Sequence, residues 1–236
     1  MLNTAGWSNE SPLRLFQTRE GNPEPPSNLT QVFMNSSLIK IEWNEPENSR
    51  GMIIGYFVEI EIIRRDCNKR ALKSFYNATD NFFMIENPSP YSEYFLEVST
   101  MNNAEIGKSS QIKISTPPAL PSTLPTNLQI ISQSEPKINS YNVSINLQWE
   151  IMKCSLNGKL EYFKIIFQGT RYKQENHSFE MFYYVQDNFK SLFFSWEESA
   201  VKPEYSYEIQ VFIKNEGVEE LSEPAVMLFD AVAGSK

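Results

Sequence analysis

Hydrophobic and polar residues alternate in short runs along this chain, and the alternation predicts strands. In the first half the runs are bounded by turn residues and lie at 38–43, 53–63, 82–85, 94–100 and 111–115. The series starts again in the second half, at 143–149, 160–168, 181–185, 192–196, 205–213 and 225–229. Because no convincing stretch has apolar residues at helical spacing, the pattern predicts an all-β chain.

The two series repeat with a period of about 100 residues, which is the size of a domain and not of a solenoid unit. A proline-rich stretch at 117–125 separates them. Prolines keep a linker extended and semi-rigid, so the two domains are expected to sit end to end.

The same two sequence features recur in each half. An alternating strand ends in tryptophan, with the side chains Ile39, Ile41 and Trp43 in the first half and Ile145, Leu147 and Trp149 in the second. Side chains two positions apart share one face of a strand, so each set should face a core. Further on, Pro90 to Val98 and Pro203 to Val211 both contain a tyrosine, Tyr94 or Tyr207, followed by apolar residues at alternate positions.

Together these features resemble the fibronectin type III fold, an immunoglobulin-like sandwich of seven strands in two antiparallel sheets. The resemblance covers about 23–116 and 125–229, and it implies two tandem sandwiches. It also implies that Trp43 and Trp149 are core residues. Their partners Tyr94 and Tyr207 would start the sixth strand and hydrogen-bond back across the preceding turn.

The resemblance predicts the domain boundaries. Residues 3–8 and 12–18 are similar to the last turn and last strand of another such domain, so the chain is expected to begin inside one. The predicted order is a remnant of a preceding domain with a linker at 1–22, a first domain at 23–116, a Pro-rich linker at 117–124, a second domain at 125–230 and a tail at 231–236.

The third strand of the second domain allows two registers, because either Tyr162 or Phe163 could face inward. A slip of one residue exchanges the two faces of a strand. The choice of Phe163, Ile165 and Phe167 is favoured, since the other register buries Lys164.

Without a secretory signal the chain is either intracellular or an interior piece of a longer protein, and its sequons favour the second option. The 236 residues carry a formal net charge of −8, which disfavours nucleic acid or an anionic membrane as partner. No run approaches the roughly 20 apolar residues of a membrane span, and the first residues lack a secretory signal. Six glycosylation sequons exceed the roughly three expected by chance: Asn9, Asn28, Asn35, Asn77, Asn142 and Asn176. An extracellular part of a plasma-membrane protein is therefore expected, without its signal peptide and transmembrane segment.

The only two cysteines, Cys67 and Cys154, exclude a disulfide-dense scaffold and a four-cysteine metal site. Strands of the resembled fold alternate in direction, so the loops with Cys67 and Cys154 should both face the interdomain junction. The resulting hypothesis is an interdomain disulfide. By closing a loop of about 87 residues, it would raise the free energy of the unfolded state by roughly 4 to 5 kcal/mol. Unpaired thiols and intermolecular pairing remain open alternatives.

No residue is predicted to be catalytic, cofactor-binding or metal-binding. The only histidine, His177, is expected to be a solvated loop residue beside the Asn176 sequon. No phosphate loop, histidine pair or nucleophile elbow occurs in the sequence. Four glutamates form an acidic cluster: Glu216, Glu219, Glu220 and Glu223. We expect them to lie in a solvated loop, and an acidic docking patch is the alternative.

A basic run places five of the 21 cations within ten residues: Arg64, Arg65, Lys69, Arg70 and Lys73. These residues should follow a sheet edge, where charge discourages the addition of foreign strands. A docking patch for a sulfated glycan or an acidic protein is the alternative, since the run creates a local field of opposite sign.

The predicted function is non-catalytic binding or spacing in a receptor or adhesion protein. Arrays of this kind resemble the ectodomains of receptor-type protein tyrosine phosphatases, sevenless-like receptors and neural adhesion molecules, whose catalytic domains would lie outside this chain. The expected partner is an extracellular protein or adhesion ligand, with 102–106 and 215–220 among the candidate loops. A cytokine-receptor-like ligand-binding pair is the alternative, because Trp7 to Ser11 resembles part of that family's Trp-Ser signature.

Overall fold

The computed structural model describes residues 2–3, 6–7, 12–70, 73–134, 143–152, 154–171, 175–185 and 193–231. Over these ranges the regular secondary structure is β-strand in antiparallel ladders, which confirms the all-β class. None of the residues so described forms a helix long and apolar enough to cross a membrane.

The first sandwich follows a short N-terminal pair of strands, β1 (Leu2–Asn3) and β2 (Gly6–Trp7). Its strands are β3 (Ser27–Met34), β4 (Leu38–Asn44), β5 (Ile53–Arg64), β6 (Lys69–Arg70), β7 (Ser74–Ala78), β8 (Phe82–Glu86), β9 (Ser92–Asn102) and β10 (Ile106–Ser115). One sheet has the order β3-β4-β8. The other has the order β10-β9-β5, and β6 and β7 pair in turn with the free edge of β5.

The second sandwich repeats this arrangement. Its strands are β11 (Thr126–Gln133), β12 (Val143–Glu150), β13 (Leu160–Arg171), β14 (Glu175–Tyr184), β15 (Phe193–Val201), β16 (Ser206–Asn215) and β17 (Ala225–Asp230). They form a sheet of order β11-β12-β15 and a sheet of order β14-β13-β16-β17. The two sandwiches of the predicted fold class are therefore present, in tandem.

Each sandwich has its own hydrophobic core around a tryptophan. Trp43 and Trp149 are buried at the ends of β4 and β12, where side chains alternate between buried and half-buried. Trp43 lies edge-on to Tyr56, and Trp149 lies edge-on to Phe163, with ring centroids 5.2 Å apart in both pairs. The inward tryptophans predicted from the alternation are thus observed.

The favoured register of β13 is also confirmed. Phe163, Ile165 and Phe167 are fully buried. Lys164 lies on the opposite face, and its Nζ is 2.6 Å from a carboxylate oxygen of Glu180 on β14. Burial of the lysine would have cost far more than this exposed pairing, which explains why the other register is not adopted.

Strands β14, β3 and β11 and residues 12–26 differ from the sequence-based expectation. Strand β14 begins at Glu175 and not at 181, because a polar stretch on an edge strand lacks the alternation that reveals a strand. Strands β3 and β11 were not predicted, and most of their side chains are exposed. Residues 12–26 contain no strand, although 12–18 resemble a last strand, and Gly21 N–H donates to the Arg50 carbonyl of the first sandwich at 2.9 Å.

Candidate functional site: the interdomain junction

Cys67 and Cys154 form a disulfide bond, as hypothesised from the direction of the strands. The S–S distance is 2.09 Å and the Cα atoms are 5.0 Å apart. Cys67 lies after β5 in the first sandwich, and Cys154 lies after β12 in the second. The bond therefore links the facing ends of the two sandwiches by a covalent clamp.

A buried ion pair reinforces this clamp. Nη2 of Arg64 lies 2.6 Å from Oδ2 of Asp66, whose side chain is completely buried. The same guanidinium nitrogen donates to Oδ1 of Asn157 at 3.0 Å, and the Asn157 backbone N–H donates to Asp66 Oδ2 at 3.1 Å. A carboxylate can be buried when charge-assisted hydrogen bonds of this kind replace its lost water. Two residues of the first sandwich thus hold Asn157 of the second.

The proline-rich linker is fixed to the second sandwich by its backbone. Ala119 N–H donates to the Asn157 carbonyl at 2.9 Å, and Asn157 Nδ2 donates to the Leu120 carbonyl at 2.9 Å. Ser122 N–H donates to the Ser155 carbonyl at 2.8 Å. The linker therefore gains hydrogen bonds in addition to the stiffness that its prolines supply.

Arg65 ties the start of the linker to the first sandwich. Its Nη2 donates to the Thr116 carbonyl at 2.6 Å, and its guanidinium lies 4.1 Å from the centre of the Tyr91 ring. The Tyr91 N–H in turn donates to the Pro117 carbonyl at 2.8 Å. Hydrogen bonding and the cation–π contact together fix the direction in which the chain leaves the domain.

Asn215 completes the junction from the far end of β16. Its buried amide Nδ2 donates to the Ala119 carbonyl at 2.9 Å and to the Leu156 carbonyl at 2.6 Å. A Cβ atom at Gly158 would lie only 2.6 Å from this Nδ2. Glycine at this position therefore makes room for the amide to reach the linker.

A tyrosine corner closes the end of each sandwich, at matching positions. The Tyr94 hydroxyl accepts a hydrogen bond of 2.6 Å from Ser89 N–H, and the Tyr207 hydroxyl accepts one of 2.9 Å from Lys202 N–H. In both cases the donor lies five residues before the tyrosine, which is the arrangement that the resemblance implied.

His177 does not lie in a loop, and the expectation of a solvated loop histidine was wrong. It lies in β14, half-buried, with Nδ1 2.8 Å from the Tyr207 hydroxyl. In the tautomer with a bare Nδ1, this hydroxyl accepts from Lys202 N–H and donates its own proton to Nδ1. Burial, together with the charge of Lys202, lowers the pKa of His177, and burial raises the pKa of Tyr207. Both shifts favour the neutral form of the group.

The basic run does not form one continuous patch. Arg64 and Arg65 turn into the junction, whereas Arg70 and Lys73 pair with Glu61 and Glu59 on β5. The hydrogen bond and charge of Glu59 raise the pKa of Lys73. Lys69 is exposed in β6. A sulfated-glycan site at this edge stays a prediction, and binding there would require several cations to leave their carboxylates.

The acidic cluster lies in the loop between β16 and β17. Glu216 pairs with Lys159 at 2.9 Å, and Glu219, Glu220 and Glu223 are exposed. The Lys214 ammonium donates to the Glu219 carbonyl at 2.7 Å, which orders the turn through its backbone. The arrangement is that of a solvated loop, and its use as a docking patch stays a prediction. No cluster suited to a metal ion was found in the described ranges.

Four of the six sequons have exposed asparagines: Asn28, Asn35, Asn77 and Asn176. Asn9 and Asn142 lie outside the described residues. Asn77 is in β7 and Asn176 is in β14, which both lie at an edge of the larger sheet in their sandwich. These side chains are accessible for modification without any change of the fold.

The outer faces of the two larger sheets differ in chemistry. In the first sandwich, carboxylates lie along the middle of the face and pair with neighbouring cations, as Glu93 does with Lys113 at 3.0 Å. In the second sandwich the exposed fractions are 67% for Tyr184 and 79% for Leu228. Tyr162 lies between Phe182 and Tyr184, with ring centroids 5.4 and 5.3 Å apart. The second outer face therefore offers aromatic and aliphatic side chains to solvent.

Sequence reasoning missed the polar residues of the junction, Asp66, Asn157 and Asn215. The Asn157-Gly158 dipeptide is a turn signal that could have drawn attention to one of them. The other two lie next to a cysteine and at the end of a strand, where nothing in the sequence distinguishes a junction residue from a solvated one.

Comparison with known proteins agrees with this architecture. Residues 24–115 match the family model of the fibronectin type III domain. The chain is 30% identical over 138 residues to Protein sidekick-1 of Mus musculus, covering 58% of this chain and 6% of that protein. It is 21% identical over 160 residues to Tyrosine-protein phosphatase Lar-like of Caenorhabditis elegans, covering 64% and 7%.

A third relative is Neural cell adhesion molecule L1 of Takifugu rubripes, with 23% identity over 152 residues, 64% of this chain and 11% of that protein. The chain thus spans about a tenth or less of the length of these relatives. None of these three is a cytokine receptor by name, and most of the Trp7 to Ser11 segment lies outside the described residues. Fibronectin type III domains are generally non-catalytic, and the phosphatase relatives carry their catalytic domains outside the matched region.

Residues 24–115 therefore match the fibronectin type III domain, and the chain is similar to parts of receptor-type tyrosine phosphatases and of cell adhesion molecules.

Proposed function

We propose that this chain is a non-catalytic recognition and spacing module in the extracellular part of a cell-surface receptor or adhesion protein. The observation that carries the proposal is the junction, in which a disulfide and a buried ion pair join two sandwiches. A disulfide persists in an oxidising compartment, which is consistent with a position outside the cell. The exposed sequons and the adhesion relative favour the same position.

A clamped pair of domains acts as a spacer because it fixes a distance and an angle. Free linkers allow neighbouring domains to rotate, and a ligand must then offset the entropy of ordering them. Here the Cys67–Cys154 bond, the Asn157 contacts and the Asn215 contacts restrain the linker from both sides. Surfaces on either sandwich would thus be presented to a partner in a preorganised arrangement.

The experiment is secretion of the 236-residue chain from mammalian cells behind a leader peptide. Peptide mapping without reductant should recover the Cys67 and Cys154 peptides joined, and sequons should carry glycan. Small-angle X-ray scattering of the wild type should show a narrow distribution of particle sizes. The C67S/C154S variant should show a broader one. A chain that is not secreted, or that carries no glycan and free thiols, would contradict the proposal.

For recognition, we propose an extracellular protein partner on the outer face of the second sandwich. Exposed aromatic side chains supply large contact areas at low entropic cost, and Phe182 and Tyr184 are exposed on neighbouring positions of that face. On the equivalent face of the first sandwich, ion pairs of Lys73 with Glu59 and of Lys113 with Glu93 accompany the exposed Phe75. The adhesion relatives favour a protein as the partner, and nothing in the acidic composition favours nucleic acid.

Fluorescent tetramers of the secreted chain on a panel of intact cells test this surface. Staining should fall at least tenfold for F182S/Y184S, since each side chain would contribute as an interface anchor. The control is F75S, which removes an exposed aromatic residue from an edge strand of the first sandwich. Equal loss in both variants would contradict the assignment of the face, and no staining on any cell would leave spacing as the only role.

A further inference from the structure

An apolar groove of about 260 Å³ lies at the end of the first sandwich, beside the linker. Four of its nine lining residues are prolines: Pro88, Pro90, Pro117 and Pro118. Met34, Asn35 and Ser36 also line the groove. Its volume is close to the lower end of small-molecule sites, roughly 300 Å³, which is enough for one sugar ring.

The groove is bordered by a sequon, because Asn35, Ser36 and Ser37 form an Asn-x-Ser triplet. Oδ1 of Asn35 accepts hydrogen bonds of 2.8 Å from the N–H groups of Ser37 and of Leu38. These two bonds fix the side-chain amide in an Asx turn. Nδ2 has no hydrogen-bond partner among the described residues, and the residue is exposed.

We propose that Asn35 carries an N-linked glycan and that its first N-acetylglucosamine lies in the proline-lined groove. The inference rests on the proposed extracellular function, since glycan transfer takes place in the secretory pathway. In the reaction, Asn35 Nδ2 forms a bond to C1 of the sugar and loses one proton. The bond from C1 to a lipid-linked diphosphate breaks, and the lipid diphosphate leaves.

The chemistry of the sugar fits both parts of the site. Its ring offers an apolar face of C–H groups, which gains by burial against proline rings and a methionine side chain. Its hydroxyl and acetamido groups remain at the open side of the groove. Because Pro117 and Pro118 belong to the linker, a sugar seated here would connect the β3–β4 turn to the linker and stiffen the junction.

The test compares S37A with T79A in the chain secreted from mammalian cells. S37A removes the Asn35 sequon, but it keeps the backbone N–H that donates to Asn35 Oδ1. T79A removes the Asn77 sequon, which lies on β7 away from the groove. Glycopeptide mass spectrometry gives the occupancy of each site. The ¹³C-methyl NMR signal of Met34 reports on the groove.

We expect Asn35 to carry glycan in the wild-type chain. The Met34 methyl signal should shift in S37A but not in T79A. Trimming with an endoglycosidase that leaves only the first N-acetylglucosamine should keep the wild-type signal. A cross-peak between the acetyl methyl of this sugar and the Met34 methyl should also be observed.

Three outcomes would overturn the inference. Glycan on other sequons but none on Asn35 would overturn the inference and leave the proposed function in place. An occupied Asn35 with no effect on Met34 would end the seating of the sugar in the groove. A chain that is neither secreted nor glycosylated would end both the inference and the proposed function.

Discussion

The Tyr207 hydroxyl lies 2.8 Å from Nδ1 of His177, the only histidine of the chain. The histidine is held neutral because burial and Lys202 lower its pKa below the ordinary value of 6.5. When Nδ1 gains a proton it can no longer accept the tyrosine proton, and the charged ring then lies in a half-buried site near Lys202. The corner of the second sandwich is therefore linked to pH.

The free energy of unfolding of the second sandwich should decrease as the pH falls below about 6.5. In the unfolded chain His177 titrates near its ordinary pKa, whereas in the folded chain it takes up a proton only at lower pH. The contribution of His177 to the free energy of unfolding is thus fully present above pH 6.5. It is lost progressively as the pH falls towards the pKa of His177 in the folded chain. Urea unfolding at pH 7.5, 6.5 and 5.5 measures the effect.

The control for this prediction is H177Q, which removes the titrating ring and keeps an amide that can accept a hydrogen bond. The dependence on pH between 7.5 and 5.5 should be markedly weaker in this variant, because carboxylates titrate mostly at lower pH. The same decrease in H177Q as in the wild type would mean that another group is responsible.

Removal of either corner hydroxyl should destabilise the chain. Y94F leaves Ser89 N–H without its acceptor, and Y207F does the same to Lys202 N–H, so each should cost about 0.5–1.5 kcal/mol. The measurement is the denaturant midpoint at constant m-value. Y76F, which changes an exposed tyrosine, serves as the control and should cost less than about 0.5 kcal/mol. Equal effects at the three positions would contradict the role of the corners.

Neighbouring residues of β13 should differ sharply in their tolerance to truncation. F163A removes a fully buried ring that packs against Trp149 and should cost about 3–5 kcal/mol. Y162A removes a half-buried ring that contacts Phe182 and Tyr184, and should cost roughly 1 kcal/mol. Chemical denaturation of both variants checks the difference, and a larger cost for Y162A would mean that the register is the opposite one.

The cost of a side chain at Gly158 should depend on the Asn215 amide. G158A places a methyl group where the Asn215 amide lies and should cost about 1–3 kcal/mol, since overpacking also displaces the amide from Ala119 and Leu156. In the N215A background the same substitution should cost less, because the amide is gone and only the Cβ of residue 215, 3.0 Å away, still opposes the methyl group. A double-mutant cycle measures this coupling, and additive costs would exclude it.

Strand periodicity in the sequence was sufficient to predict which side chains of a strand face the core. The inward tryptophans and the register of β13 could be predicted because a one-residue shift would expose a core or bury a lysine. The Cys67–Cys154 bond could be predicted because strand direction alternates in a sandwich. The Asp66–Asn157 contact could not, because it depends on how two folded domains meet. His177 was misplaced because its strand lies at an edge and is polar.

The central claim is that the junction holds the two sandwiches as one body. Backbone ¹⁵N relaxation of the oxidised 236-residue chain is the most direct measurement, since it reports the tumbling of each sandwich separately. Residues 27–115 and 126–230 should share one rotational correlation time, that of the whole chain. Two different and shorter correlation times, each close to that of a single domain, would contradict it.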